Sequence, residues 1–298
     1  MFNMIKTAVI GASGYIGGHL IKKYRKTFPD CVGTSFSKSI NGLIPFDLRN
    51  PNIQDLQLEE TGHQSVIISS AMPNVSWCES NHAASYELNV KGTLNLIKQL
   101  GRTTLTTFFI SSDYVFNGDV GAYLDTAMPN PNTQYGKQKA KVEQEISNLT
   151  KKYAVLRLSK IYGTTWKDGT LIDAMAAELL QNKRITAATD QFFSPTHVND
   201  VVAMIIALQE RDACGIINVC NSNVYSRFQI ANKIAQALNM PSSLLHATNL
   251  HSIEGMQNRP LNTSLICSQF LEKEQSSFIT LDEAVQQVAL NWSPKRAS

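Results

Sequence analysis

The feature that most limits what this chain can fold into is a glycine-rich turn. The β-branched stretch 7–10 runs straight into Gly11-Ala12-Ser13-Gly14-Tyr15-Ile16-Gly17, and a helical pattern begins inside that run. Gly11 can make a tight turn, Gly14 lets a pyrophosphate approach backbone N–H groups at a helix N-terminus, and Gly17 lets the helix pack closely on a sheet. Taken alone the motif is common. Directly after a first strand it predicts a dinucleotide-binding turn, with Gly11, Ser13, Gly14, Tyr15, Ile16 and Gly17 as candidate cofactor-binding residues.

The first half of the chain continues in the same rhythm. Short apolar runs at 7–10, 31–34, 43–46, 65–69, 105–110 and 154–158 alternate with helical patterns at about 15–25, 53–60, 83–100 and 133–149. That alternation predicts crossover units and an α/β fold with a doubly wound parallel (Rossmann) sheet. After 158 the spacing becomes irregular, with helices expected at 171–182, 198–210, 229–238 and 281–290 and one more buried strand at 216–219. Turn clusters at 163–169 and 221–223 mark where the chain can leave the sheet. The expected division is a dinucleotide-binding core over 1–160, rejoined by about 186–220, and a smaller C-terminal substrate-binding lobe from 161–185 and 221–298. A cleft between the two is the expected ligand site.

Composition narrows the function class. A chain of 298 residues with 43% hydrophobic and 17% charged residues is an ordinary globular composition. The longest apolar run, 201–208, is far short of the roughly 20 residues of a membrane span, and residues 1–6 lead directly into a strand with no leader pattern. A cytoplasmic protein without membrane contact is expected. Cys31, Cys78, Cys214, Cys220 and Cys267 form no CxxC, and His246 and His251 are five apart, so no metal is expected. A net charge of +3 does not suggest a nucleic-acid groove, and the cluster Lys22, Lys23, Arg25, Lys26 reads as solvated cations near a helix C-terminus.

An NAD fingerprint normally carries an acid about 20 residues beyond the glycine turn. Here that stretch is Thr34-Ser35-Phe36-Ser37-Lys38, without one. Hydroxyls of Ser35 and Ser37 with the Lys38 ammonium can hold a 2′-phosphate, so NADP(H) is preferred over NAD(H), although Lys38 also reads as an ordinary surface lysine. Asp47, past the third strand, can accept from an adenine amino group or cap the next turn. Leu48, Ser70 and Ala71 complete the cofactor candidates.

The spacing Tyr135-Gly136-Lys137-Gln138-Lys139 puts Tyr135 and Lys139 on one helix face. A nearby ammonium favours the phenolate, so the pair can exchange a proton with a carbonyl or alcohol, and Lys139 can also bind ribose hydroxyls. The pattern recurs by chance, but the fifth strand ends in Ile110-Ser111-Ser112-Asp113, which brings a serine hydroxyl to the carboxyl end of the sheet. The same serines can instead satisfy backbone groups there.

In this order these residues resemble the extended short-chain dehydrogenase/reductases, and in detail the dTDP-4-dehydrorhamnose reductase family. Beyond the glycine turn, the likeness includes 112–118 (SDYVFNG), 135–139, Asp190-Gln191 with Ser194-Pro195-Thr196, and 259–264 (RPLNTS). The resemblance implies that Ser112 polarises the substrate carbonyl, that Tyr135 is the general acid, and that Lys139 lowers its pKa and holds the cofactor. It implies that Asn89 supports the active-site backbone and a proton-relay water, and that Asp113, Tyr114, Val115 and Arg259 lie at the substrate. It further implies hydride transfer from NADPH to the C4 ketone of a nucleotide-linked 4-keto-6-deoxysugar, with a homodimer left open. The chain departs from the family pattern where an aromatic that packs on the sugar is replaced by Lys160, which stands as a further candidate substrate-binding residue. It departs again where Val75-Ser76-Trp77-Cys78-Glu79 lacks one acid and Ser69-Ser70-Ala71 replaces Asn-Ala-Ala. Two alternatives stay open. One is a sugar-nucleotide epimerase or dehydratase with retained NAD, disfavoured for dehydration because Tyr114 follows Asp113 where an Asp-Glu pair is usual. The other is a non-enzymatic NADP-binding regulatory subunit, as the β subunit of methionine adenosyltransferase, which resembles the same reductases.

Overall fold

A computed structural model describes residues 4–36, 39–275 and 277–292. Strand β1 (Thr7–Ile10) passes through the glycine turn into α1 (Tyr15–Tyr24), and β2 (Thr34–Ser35) pairs with β3 (Ile44–Pro45). Next come β4 (Ser65–Ile68), α2 (Val75–Ser80), α3 (His82–Tyr86), a π-turn at Glu87–Gly92 and α4 (Thr93–Leu100). The core is completed by β5 (Thr106–Ser112), α5 (Gln134–Leu149) and β6 (Tyr153–Leu158). Beyond it lie β7 (Ile161–Tyr162), α6 (Leu171–Leu180), β8 (Ile185–Ala188), β9 (Phe192–Phe193), β10 (Thr196–His197), α7 (Val198–Glu210) and β11 (Gly215–Val219). The remainder is β12 (Tyr225–Ser226), α8 (Arg227–Ala237), β13 (Leu245–Thr248), α9 (Glu272–Gln275) and α10 (Leu281–Trp292).

Five strands form one parallel sheet in the order β1-β4-β5-β6-β11. Alternating side chains divide its two faces, as the pleat requires. Val9, Ile67, Phe108 and Leu156 face α1 and α7 through Leu20, Val201 and Ile205. Ala8, Ile10, Val66, Ile68, Phe109 and Val155 face α4 and α5 through Leu96, Ile97, Val142 and Ile146. A separate apolar cluster gathers α6, β8, α8 and α10 around Leu179, Ile185, Ile230, Val285 and Trp292. No helix among the described residues is long and apolar enough to cross a membrane.

Two expected elements differ. The pattern at 53–60 yields only a 3₁₀ turn, Ile53–Leu56, closed by Gln57 in the left-handed region at φ 47°. Its apolar spacing is met by Ile53, Leu56 and Leu58 turning into the core beside α4 without a continuous helix. The run at 31–34 pairs regularly only from Thr34, with Gly33 making a single bridge to Val9.

Helix α5 is tied to the sheet by a buried ion pair. Arg157 on β6 and Glu143 on α5 are both fully enclosed, with Nη2 2.8 Å and Nε 3.1 Å from Oε2. The Ser111 hydroxyl on β5 donates to Oε1 of the same carboxylate, and Arg157 Nη1 donates to the carbonyls of Asp125 and Ala127, each at 3.2 Å. Removing one member leaves the other charge buried without its partner. Arg157→Met is therefore expected to lower unfolding free energy by about 3–5 kcal/mol. The pair Arg157→Met with Glu143→Leu should lose clearly less, as read by urea denaturation.

Candidate active site

The glycine turn is built by close contacts. Gly11 has φ +90°, and a Cβ there would lie 2.7 Å from the Ser70 nitrogen; a Cβ on Gly17 would lie 2.2 Å from the Gly11 carbonyl oxygen. The Gly11 N–H donates to Thr34 Oγ1 at 3.0 Å. Beside the turn opens a cavity of about 670 Å³, lined by Gly11, Ser13 and Gly14, by Ser70 and Ala71 after β4, and by Leu48. These backbone groups at the N-terminus of α1 suit a pyrophosphate.

Other cofactor candidates fall elsewhere. Tyr15 turns away, its hydroxyl donating to Asp168 at 3.2 Å, and the Ile16 side chain packs on the core. Ser35 is buried, and its carbonyl accepts from Phe46 N. Ser37 and Lys38 lie outside the described residues. Asp47 caps the following turn, accepting from the Arg49 N–H at 2.9 Å. Thr34, Phe36, Arg49 and Trp77 also line the cavity. The sequence reading passed over these four because nothing local marks an apolar or cationic side chain as facing a cavity.

At the carboxyl end of β5, Ser112, Tyr135 and Lys139 come together. Thr133 caps α5 by accepting from Gly136 N at 3.1 Å. Gly136 allows the contact with β5's end, since a Cβ there would sit 2.0 Å from the Tyr114 carbonyl oxygen. Ser112 Oγ donates to Asp113 Oδ1 at 3.0 Å and accepts from Tyr114 N at 3.2 Å. Lys139 Nζ donates to the Ile110 carbonyl at 2.7 Å and lies 5.9 Å from the Tyr135 ring centroid. Burial pushes the Lys139 ammonium down to about 8, opposed by Glu143.

The Tyr135 phenol departs from the expectation of a lowered pKa. Burial and the nearby Asp113 push it well above its ordinary value, while a hydrogen bond with Ser112 acts the other way. The ammonium meets the ring rather than the hydroxyl, so Tyr135 stands as a protonated donor.

Asn89 acts at one remove. Its Oδ1 accepts from Met72 N at 2.8 Å, and its Nδ2 donates to Gln138 Oε1 at 2.7 Å, joining the loop after β4 to α5 between Tyr135 and Lys139. Gln138 itself donates to Ser85 Oγ at 2.7 Å, a role not visible in its sequence context.

Beyond Ser112 and Asp113, Lys160, Arg227 and Arg259 lie close enough to act on one another electrostatically. Asp113, fully enclosed, accepts from Ser112, from Ser159 at 3.3 Å and from Thr263 at 2.7 Å. Burial raises its carboxyl to about 6 despite these donors and Lys160. Arg259 donates to Tyr114 OH at 3.4 Å and to Ser76 Oγ at 3.2 Å, and Tyr114 packs edge-on against Tyr135 at 6.3 Å. Lys160, open on one side, has its ammonium pushed down to about 8, mostly by burial and also by Arg227. Arg227 at the start of α8, which the sequence reading did not single out, donates to Gln191 at 2.9 Å. Val115 requires correction: it is fully buried in the core beneath the sheet end and cannot touch a substrate. The 3₁₀ turn at Asp113–Val115 directs Tyr114 toward Arg259 and turns Val115 inward.

The family model described as "RmlD substrate binding domain" matches residues 5–292. Methionine adenosyltransferase 2 subunit beta of Bos taurus is 26% identical over 270 residues, covering 88% of this chain and 80% of that protein. dTDP-4-dehydrorhamnose reductase of Mycobacterium tuberculosis is 27% identical over 237 residues, covering 77% and 74%. Among solved structures, a hypothetical dTDP-4-dehydrorhamnose reductase from Sulfolobus tokodaii superposes with TM-score 0.79 at 25% identity, over 94% of this chain and 99% of that one. The fold is also that of dTDP-4-dehydrorhamnose reductase from Bacillus anthracis in complex with NADP, with TM-score 0.79 at 22% identity over 96% and 99%.

Asp113 gives the site a pH signature. Its folded pKa of about 6 lies above the ordinary carboxylate value of 3.8, so the folded state binds more protons between those pH values. Its contribution to stability is present below about pH 4 and is lost as pH rises through 6. Asp113→Asn should remove this slope. The stability of the variant relative to the parent should rise between pH 4 and 7 by on the order of 2 kcal/mol in urea unfolding.

Proposed function

The chain belongs to the RmlD substrate binding domain family, and on that premise we propose that it is an NADP(H)-dependent oxidoreductase of the short-chain dehydrogenase/reductase type. Its substrate in this reading is a nucleotide-linked 4-keto-6-deoxysugar, whose C4 ketone it reduces to an alcohol. The observation that carries the reading is the meeting of Ser112, Tyr135 and Lys139 at the carboxyl end of the parallel sheet whose first strand ends in the glycine turn. Ligands of such sheets bind outside the carboxyl ends of the strands.

The residues divide the work. The nicotinamide of the bound cofactor supplies the hydride. Tyr135, kept protonated by burial, gives its proton to the ketone oxygen as the C4–H bond forms. Ser112 turns its proton from Asp113 to that oxygen and stabilises the developing charge. Lys139, held by the Ile110 carbonyl, has further N–H groups for ribose hydroxyls and supplies positive charge beside the phenol ring. Lys160, Arg227 and Arg259 give this side of the site the positive potential that a diphosphate needs. The cavity suits NADP(H) in having no carboxylate among Thr34, Ser35 and Phe36, and in the pairing of Asp47 with Arg49.

A second reading has specific support in the likeness to methionine adenosyltransferase 2 subunit beta: a chain that binds the cofactor and serves as a subunit of another enzyme. Oxidation of NADPH, followed by absorbance with dTDP-, GDP- and UDP-linked 4-keto-6-deoxysugars, separates the two. Turnover is expected, and Tyr135→Phe should lower it about 10²–10⁴-fold while NADPH affinity is retained. Tight NADPH binding without turnover on any ketosugar, together with co-purification of a synthetase, would instead establish the subunit reading.

A further inference from the structure

The wall of the cavity beside β2 and β3 carries a side-chain arrangement of which the reductase reading uses only the pairing of Asp47 with Arg49. A dinucleotide whose pyrophosphate lies at the glycine turn and whose nicotinamide points to Tyr135 must extend its adenosine toward β2 and β3. There the Phe36 ring is 58% exposed at the cavity wall. The Arg49 guanidinium lies over that ring, 4.6 Å from its centroid. Asp47 fixes the plane of the fork: Nε donates to Oδ1 at 2.9 Å and Nη2 to Oδ2 at 2.7 Å, while the Arg49 backbone N–H also donates to Oδ1 at 2.9 Å. Nη1 has no hydrogen-bond partner in the structure among the described residues.

Two consequences follow for an adenosine placed here. Both oxygens of Asp47 accept from Arg49, so the carboxylate just past β3 is offset by a guanidinium beside it. The guanidinium, stacked and braced from one edge, presents its remaining N–H groups in a fixed plane, which matches a phosphate better than a flexible ammonium does.

We infer that Arg49, stacked on Phe36 and braced by Asp47, recognises the 2′-phosphate on the adenosine half of NADP(H) and sets the preference over NAD(H). The inference rests on the NADP(H) reading above and assigns it to a residue outside the stretch 34–38, where the sequence pattern alone pointed.

The test is binding rather than turnover. The full chain, Arg49→Gln, Asp47→Asn and Phe36→Ala are each titrated with NADPH and with NADH by calorimetry at fixed ionic strength. Arg49 is exposed and its ion pair is at the surface, so Arg49→Gln should fold as the parent does. Expected is a loss of about tenfold or more in NADPH affinity for Arg49→Gln, with NADH affinity changed less than about threefold. Asp47→Asn should retain the NADPH preference, and Phe36→Ala should weaken both cofactors by similar factors. Equal weakening of both cofactors in Arg49→Gln would reduce Arg49 to a stacking platform and overturn the inference, as would no change in either. If the parent chain turns over a ketosugar with NADPH while Arg49→Gln keeps the parent's preference, this inference alone fails. If the parent binds neither cofactor, the reductase reading fails with it.

Discussion

The pairing of Arg157 with Glu143 holds together the parts on which the candidate chemistry depends. Tyr135 and Lys139 share a face of α5 with Glu143, each four residues from the next, so whatever fixes Glu143 fixes the other two. The carboxylate reaches β6 through Arg157 and β5 through Ser111, and the next residue on β5 is Ser112. One buried anion therefore sets the distance and register between the strand that carries the hydroxyl and the helix that carries the phenol and ammonium. A surface ion pair would not do this, because solvent screening and side-chain entropy would leave the helix free to shift. Here both charges are enclosed, and separating them would expose each to an apolar interior.

Around that frame the site is organised by what burial does to ionisable groups. The same desolvation raises the carboxyl of Asp113 and the phenol of Tyr135 and lowers the ammonium groups of Lys139 and Lys160. Each is moved toward its neutral form. The Ser112 proton is held by Asp113, and this makes the hydroxyl's orientation depend on a carboxyl that titrates near 6. Asn89 and Gln138 finish the mounting from the other side by tying the loop after β4 to α5.

The glycine turn does for the cofactor cavity what the buried ion pair does for α5. Gly11 lies against Ser70, and Gly17 against the Gly11 carbonyl, at distances no side chain tolerates. The close approach brings the ends of β1 and β4 to the N-terminus of α1 and opens the cavity between them. Downstream, Arg49 and Phe36 belong to separate loops and meet only because β2 and β3 pair.

Much of this was legible in the chain itself. The alternation of strand and helix patterns gave five strands near their observed places, because periods of 2 and 3.6 follow from local backbone geometry. The helix starting at Tyr15 and the shared face of Tyr135 and Lys139 followed from local spacing in the same way. The 53–60 pattern misled because apolar spacing reports which side chains turn inward, whichever backbone turns them. Val115 was assigned to the substrate by its place in a motif, and only the strand end shows that it faces the core. What the sequence by itself determined was the class of fold, the position of the glycine turn and the candidate grouping of Ser112, Tyr135 and Lys139. Tertiary structure alone decided that Asp113 accepts from Ser159 and Thr263, that Lys160 lies near Arg227 and Arg259, and that Arg49 lies over Phe36. Those arrangements join residues from 13 to 150 positions apart, and their meeting is set by the packing of sheet, helices and loops, not by any local preference of the chain.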